Sequence, residues 1–299
     1  MNTVIKIGTR KSALAMAQTH LVMEAIKKAH PEVEFEVVTI TTKGDKILNQ
    51  PLIAFGGKAV FVSEFEEAIA KGSIDIAVHS AKDMPMELLE GLEVVAVLER
   101  ANPRDVLVRV KGDTSPLNVI GTSSLRRQLQ IKNYYPEAEC KNIRGNVGTR
   151  LDKLKAGEYD GIILAAAGLS RLGLLDSEEY SFEQFDCDKF IPAAGQAIIA
   201  IEGRKNDELM ELVKSIDHKE SAYRLETERE VLRLLEAGCH EPVAVYSEVE
   251  GDEITLSVLY EQEGYVVRSS GREVVKNRFQ LAKQVVEEIR GRLDEQKSR

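Results

Sequence analysis

Asp83 stands in the segment VHSAKDMP (78–85), a carboxylate beside Lys82 on a loop stopped by Pro85, directly after an apolar run. One reading is a loop salt bridge with Lys82. The other is a lone anion among cations, suited to stabilising positive charge or shuttling a proton. Cys239 lies in Ala237-Gly238-Cys239-His240, past a predicted helix end and before a predicted strand. Free cysteines are most often inert core residues, a reading that covers Cys140 and Cys187, whereas a cysteine on a Gly-initiated turn also suits reactive or modified sulfur. His79 reads as packing, since no second His or Cys stands at metal-ligand spacing.

Arg126, Arg127 and Arg150 fall in the first turns of predicted helices, where the macrodipole disfavours a cation by about 0.3–1 kcal/mol. Helix stability gives no reason for them there; an anion held over the helix start does. Arginine's planar fork matches a carboxylate or phosphate in bidentate fashion. Neither G-x-x-x-x-G-K-[ST] nor a strand-linked G-x-G-x-x-G is present, so a nucleotide is not favoured. Several separated arginines point to a ligand with several separated carboxylates.

The charge distribution agrees. Residues 100–155 hold twelve Lys or Arg against five acids, a local balance of +7 within a chain of net charge −9. A basic centre in an acidic protein focuses anions, while the acidic balance of the chain makes the whole molecule a poor nucleic-acid binder. The other meaning of such a run is a solvated basic face.

These residues need a scaffold, and the pattern supplies one. Strands are predicted at 4–7, 34–41, 74–79 and 92–98 with helices at 13–29 and 60–71 between them. The theme restarts after Pro103 with strands at 105–110, 118–120, 139–143 and 161–165 and helices at 125–134 and 149–156. Alternating strands and helices predict parallel sheets covered on both faces, and ligands of open α/β sheets bind beyond the strands' carboxyl ends. The clusters 8–12, 79–85, 121–127 and 144–150 all fall at such ends, with Thr9, Thr122, Ser123 and Thr149 available as helix caps. The acidic stretch 176–186 reads as a surface loop, and 198–202 as a strand returning to the first lobe. From 221 a helix, three hairpin-linked strands and a helix at 278–293 read as a small α+β domain.

The predicted fold class is therefore α/β, two doubly wound lobes plus a small α+β C-terminal domain. The expected domains are 1–99 with 197–217, then 104–193, then 220–299. At 299 residues the chain buries enough surface to need no disulfide or metal. Three cysteines without a C-x-x-C pair fit a reducing cytoplasm. No apolar stretch is long enough to span a bilayer and the first residues lack a signal-peptide core, so a membrane or exported protein is not expected.

The same segments resemble the porphobilinogen deaminase (hydroxymethylbilane synthase) family nearly end to end and in order. The matching blocks are IGTRKSALAMAQ (7–18), GGKAVFVSEFE (56–66), VHSAKDMP (78–85), ERANPRD (99–105), GTSSLRRQ (121–128), NIRGNVGTRL (142–151), LAAAGLSRL (164–172), PAAGQ (192–196) and ER-x-x-L (228–232) leading to GCHEPVA (238–244). The resemblance implies two periplasmic-binding-protein-like lobes and a third domain carrying a cysteine. It implies that Cys239 holds a dipyrromethane cofactor through a thioether, and that Asp83 is the catalytic carboxylate, stabilising positive charge as ammonia leaves. Ser80, Lys82, Thr122, Ser124, Arg126, Arg127, Arg150 and Gly168 would bind the cofactor. Arg10, Ser12, Gln18, Lys58, Arg144, Arg150, Arg171 and Gln196 would bind the substrate, porphobilinogen. Four porphobilinogen units would be joined in turn and the linear tetrapyrrole released by water, in a cytoplasmic monomer with no nucleic-acid or membrane partner.

Two positions depart from the family pattern: Ser63 stands where a lysine is usual, and Ala237 where a glycine precedes Gly238. The segment 42–58, with three glycines, reads as a lid over the cleft or as an ordinary surface loop. The rival to the transferase is a non-enzymatic two-lobed binding protein for a carboxylate-rich anion. It accounts for the lobes and arginines but gives Asp83 and Cys239 no task.

Overall fold

The computed structural model describes residues 3–42, 62–237 and 241–298. In chain order the elements begin β1 (Val4–Thr9), α1 (Ala13–Ala29), β2 (Glu34–Thr39), α2 (Ser63–Ala70), β3 (Ile76–Ser80), β4 (Leu92–Val97), β5 (Asp105–Val110) and β6 (Val119–Gly121). There follow α3 (Leu125–Ile131), β7 (Glu139–Lys141), α4 (Val147–Lys155), β8 (Gly161–Ala165), α5 (Ala166–Arg171), β9 (Tyr180–Gln184), β10 (Ile199–Arg204) and α6 (Glu208–Lys214). The chain ends with α7 (Lys219–Leu235), β11 (Val243–Glu250), β12 (Glu253–Gln262), β13 (Tyr265–Val274) and α8 (Arg278–Lys297). Two compact units result, Met1–Ala101 with Ile198–Leu225, and Asn102–Ala197 with Glu226–Arg299.

The first unit is built on a sheet of order β2-β1-β3-β10-β4. Helix α1 forms because Ser12 caps it, accepting from the Ala15 amide at 3.2 Å, and because Gln18, Val22 and Ile26 recur every four residues on its buried side. Lys27 and Lys28 in its last turn suit the negative end of the helix dipole. Its buried face meets Ile5, Ile7, Ile76 and Ile201 of the sheet. As expected from 198–202, β10 joins this sheet, pairing with both β3 and β4.

The second unit holds a sheet of the corresponding order β7-β6-β8-β5-β9, and separately the antiparallel sheet β11-β12-β13 with α8 packed against it. Val106, Val108, Ile162 and Leu164 alternate onto one face of the larger sheet with Leu151 and Leu154 of α4; Leu107, Ile120 and Ile163 meet Phe185 and Phe190 on the other. In the smaller sheet the β12–β13 turn places Glu263 and Gly264 at φ 55° and 86°, the two positive values a tight hairpin needs.

Three expectations are corrected. The sheets are mixed: β1, β2 and β3 are parallel, as are β6, β7 and β8, but β10 runs antiparallel to β3 and β4, and β5 antiparallel to β8 and β9. Apolar runs mark a buried strand without marking its direction. Second, 176–186 is not all loop: β9 pairs with β5, burying Tyr180 and half-burying Phe182 while Ser181 and Glu183 face out, as on an edge strand. Third, the helices α5 and α6 were not expected, the first because an unbroken apolar run continues from β8 into it. The predicted lid, beyond Thr42, lies outside the described residues.

Candidate active site

Adjacent parallel strands open their carboxyl ends along one sheet edge, so sheet order decides which loops are neighbours. In the first unit β1 and β3 pair directly, Ile7 with Ile76 and Gly8 with Ala77. The loop after β1, with Arg10 and Ser12, and the turn after β3, with Lys82 and Asp83, therefore share an edge. Gln18 of α1 reaches across and donates to Ser80 Oγ at 2.8 Å, so these two predicted residues are brought together.

The turn itself is a single 3-10 turn, Ala81–Asp83, begun where the Ala81 amide donates to Ile198 O at 3.0 Å and anchored by the buried side chains of Ala81 and Met84. Asp83 is thus an exposed carboxylate on a fixed backbone, and among the described residues it forms no ion pair. His79 is buried as expected of a packing residue, edge-on to Phe65, but it is also bonded to Glu202 at 2.9 Å. Glu202 is fully buried and its Oε1 has no partner among the described residues. Burial pushes the neighbouring Glu66 carboxyl up, and the Glu202 charge adds to that, against the bond it accepts from the Leu89 amide.

In the second unit β6 lies between β7 and β8, all parallel. Their ends deliver Thr122, Ser124, Arg126 and Arg127, then Arg144 and Arg150, then Gly168 and Arg171, to one edge. Ser124 caps α3, accepting from the Arg127 amide at 3.4 Å, and Asn146 caps α4, accepting from Thr149 at 2.9 Å. Of the expected caps, Ser123 Oγ instead donates to Ile143 O and accepts from the Ile143 amide, and Thr122 Oγ1 accepts from the Ser124 amide. Arg150 donates from Nε to Gly145 O at 2.8 Å.

The expectation that nothing in the fold accounts for Arg126 and Arg127 is corrected. Both are buried, and both bind the fully buried carboxylate of Asp105 at 2.7 Å. Gln196, also fully buried, donates to the same carboxylate at 3.0 Å and to Pro103 O at 2.7 Å. Patterning alone does not single out Asp105; its one signal is its place in the ERANPRD block. Glu228 was likewise missed: fully buried on α7, it accepts from the Gly195 amide at 2.7 Å and from Ser247 at 2.8 Å.

Arg171 differs. Its Nη2 donates to Ala197 O at 2.7 Å, and among the described residues it has no acidic partner. Burial alone pulls its guanidinium down to about 10. A largely desolvated cation with only a neutral acceptor is completed by an anion. The Cys140 thiol is pushed up by burial, as suits an inert cysteine. Lys58 and Cys239 lie outside the described residues.

Comparison with known proteins gives the following. Residues 5–212 match the family model "porphobilinogen deaminase, dipyromethane cofactor binding domain", and residues 222–291 match "porphobilinogen deaminase, C-terminal domain". The porphobilinogen deaminase of Desulforamulus reducens is 42% identical over 296 residues, covering 97% of this chain and 95% of the relative. That of Nostoc sp. (strain PCC 7120) is 44% identical over 281 residues, 91% of this chain and 84% of the relative. Among solved structures, the probable amino-acid ABC transporter extracellular-binding protein ytmK of Bacillus subtilis covers 72% of this chain and 90% of its own at 11% identity, with a TM-score of 0.42.

Proposed function

The chain belongs to the porphobilinogen deaminase family, transferases of tetrapyrrole biosynthesis that carry a dipyrromethane cofactor, and from that premise we propose which of its residues do the work. The binding-protein alternative is not favoured. The observation that carries the assignment is Arg171: desolvated, cationic and lacking an acidic partner among the described residues, at a strand-end edge that also receives Arg126, Arg127, Arg144 and Arg150. Such an edge suits a ligand whose every pyrrole brings two carboxylates.

The dipyrromethane, when bound, supplies the pyrrole carbon to which porphobilinogen units are joined, four in turn, each with loss of ammonia. Cys239 is proposed as its thioether anchor, and Ser80, Lys82, Thr122, Ser124, Arg126, Arg127, Arg150 and Gly168 as its binding residues. Arg10, Ser12, Gln18, Lys58, Arg144, Arg150, Arg171 and Gln196 are proposed to hold porphobilinogen, the arginines by charge-assisted bonds to its acetate and propionate groups. Asp83 is proposed as the catalytic carboxylate. Its exposure at the strand-end edge lets it approach a pyrrole N–H, and its negative charge stabilises the cation that develops as the C–N bond to ammonia breaks. A cytoplasmic monomer divided into domains at 1–99 with 197–217, 104–193 and 220–299 completes the reading, the last supported by three separate sheets.

Intact mass of the purified protein beside Cys239→Ala, before and after incubation with porphobilinogen, is the test. An excess of two porphobilinogen-derived units in the first and none in the second supports the assignment. A parent chain that acquires no adduct at all overturns it.

A further inference from the structure

Asp105 begins β5 with no exposed surface, and three side chains converge on it. Arg126 donates from Nη1 to Oδ2 at 2.7 Å, and from the same Nη1 to Ile191 O at 2.8 Å. Arg127 donates to Oδ1 from Nε at 3.0 Å and from Nη2 at 2.7 Å, while its Nη1 donates to Ile163 O at 2.9 Å. Gln196 adds its bond to Oδ1. Two cations thus share one anion, leaving one positive charge in excess.

The arrangement treats the two arginines differently. A guanidinium has five N–H donors in a fixed plane, and its Nε–Nη2 edge is one that matches a carboxylate with two parallel bonds. In Arg127 that edge is spent on Asp105. In Arg126 it is Nη1 that is spent, so the Nε–Nη2 edge engages no group among the described residues. Asp105 therefore selects which edge each arginine can present.

We propose that Asp105 is a positioning residue: its buried carboxylate orients Arg126, Arg127 and Gln196 so that Arg126 presents its bidentate edge to a ligand carboxylate and Arg127 serves chiefly as the clamp that holds the pair in register. This rests on the reading above that Arg126 and Arg127 hold carboxylates of the pyrrole chain. It also makes a prediction that charge alone reverses. Removing an acid from an anion site strengthens anion binding if only net charge matters. If Asp105 sets geometry, removing it weakens binding, because two like charges in the first turn of α3 then repel and turn away from one another.

The test uses the full chain as Asp105→Asn, Arg127→Lys and the double variant, each checked for a cooperative thermal transition. The readouts are the fraction of molecules carrying dipyrromethane by intact mass after incubation with porphobilinogen, and KM and kcat per cofactor-bearing molecule. Asp105→Asn is expected to lower the loaded fraction and to raise KM about tenfold or more, with kcat changed by less than about threefold. Arg127→Lys keeps the charge but not the fork, and it is expected to act in the same direction. The double variant should match the worse single one, because the two residues act as one device. An unchanged or lowered KM with full loading in folded Asp105→Asn overturns the proposal, as do effects that multiply in the double variant. If Asp105→Asn does not fold, Arg127→Lys decides alone, and unaltered loading and KM there overturn it. A parent chain that never acquires dipyrromethane removes the functional reading itself, an outcome distinct from normal loading of the parent with unaffected variants.

Discussion

Arg171 Nη2 lies 2.7 Å from the carbonyl oxygen of Ala197, and Ala197 holds φ at 72°, in the left-handed region that a residue with a Cβ rarely adopts. The PAAGQ loop is pinned immediately before that residue, by the amide of Gly195 on Glu228 and by the side-chain amide of Gln196 on Pro103 O and Asp105. A conformation costing on the order of 1–3 kcal/mol persists only where its surroundings over-determine it. In this conformation the Ala197 carbonyl accepts from the Arg171 guanidinium.

This separates stability from function at Arg171. Burial disfavours the charged form, the folded value being lowered to about 10 from the ordinary guanidinium range. Because the unfolded chain then binds the proton more readily, Arg171 costs stability at neutral pH, and that cost fades as pH rises through 10 and beyond. Arg171→Leu is expected to melt at or near the parent temperature at pH 7 despite losing a hydrogen bond. Its KM for porphobilinogen should rise roughly 10- to 100-fold, the scale of one lost charged hydrogen bond. Calorimetry beside steady-state kinetics checks both; a normal KM sinks the ligand role.

Glu66 supplies the pH-dependent case. Its folded carboxyl is raised by burial first and by Glu202 next, with His79 and the Leu89 amide opposing. For an acid with a raised folded value, stability is fully present below the unfolded value and declines as pH rises through the folded one. Glu66→Gln keeps an oxygen for the Leu89 amide and removes the charge. Its melting temperature should exceed that of the parent at pH 7, and the gain should vanish near pH 4. A gain of equal size at both pH values contradicts the assignment.

Gly145 is the point where backbone conformation limits the arginine edge. It holds φ at 116°, and a Cβ there would meet Thr149 Cγ2 at 2.7 Å and Cβ at 2.8 Å. Its carbonyl accepts from Arg150 Nε, and Arg144 precedes it. Gly145→Ala is expected to destabilise by about 1–3 kcal/mol and to raise KM, because Arg144 and Arg150 shift with the loop. Denaturant titration read beside KM tests this, with Gly148→Ala, whose Cβ meets only Asn146 Oδ1 at 3.5 Å, as the control for an added methyl in the same loop.

How much of this was legible in the residues follows from what patterning encodes. The strand ends carrying Arg126, Arg144 and Arg150 were readable, because periodicity and glycines act over a few neighbouring residues, but the caps were misplaced within those same clusters: Ser12, Ser124 and Asn146 cap the helices, not Thr9, Thr122, Ser123 or Thr149. The return of β10 to the first sheet was readable from its apolar run. Strand direction was not, since Val106 and Ile162 are equally apolar whichever way their strands run. Nor was the task of Asp105: in the sequence it is one acid among basic residues, 21 positions from Arg126, and only the packing of β5 beneath the start of α3 makes it their shared partner. Long-range pairing of a single buried charge leaves no local periodic trace.

Asp83 brings the chemistry to one atom pair, the carboxylate oxygens on the turn that follows β3. The turn's shape comes from the Ala81 amide on Ile198 O and from the buried Ala81 and Met84 side chains, none of which involves the Asp83 carboxylate. An exposed side chain without an ion pair among the described residues contributes little to folding, so Asp83→Asn should unfold within about 0.5 kcal/mol of the parent. Asparagine keeps the size but cannot neutralise a developing cation or accept a proton. Turnover per cofactor-bearing molecule is therefore expected to fall at least about 100-fold, the usual scale for a lost acid–base or charge-stabilising group. Asp83→Glu restores the charge on a longer arm and should recover part of that loss, whereas a purely structural carboxylate would show matching losses of stability and rate in both variants. Single-turnover kinetics on loaded protein, read beside denaturant titration, separates the two, and an Asp83→Asn variant with normal turnover removes Asp83 from the catalytic role.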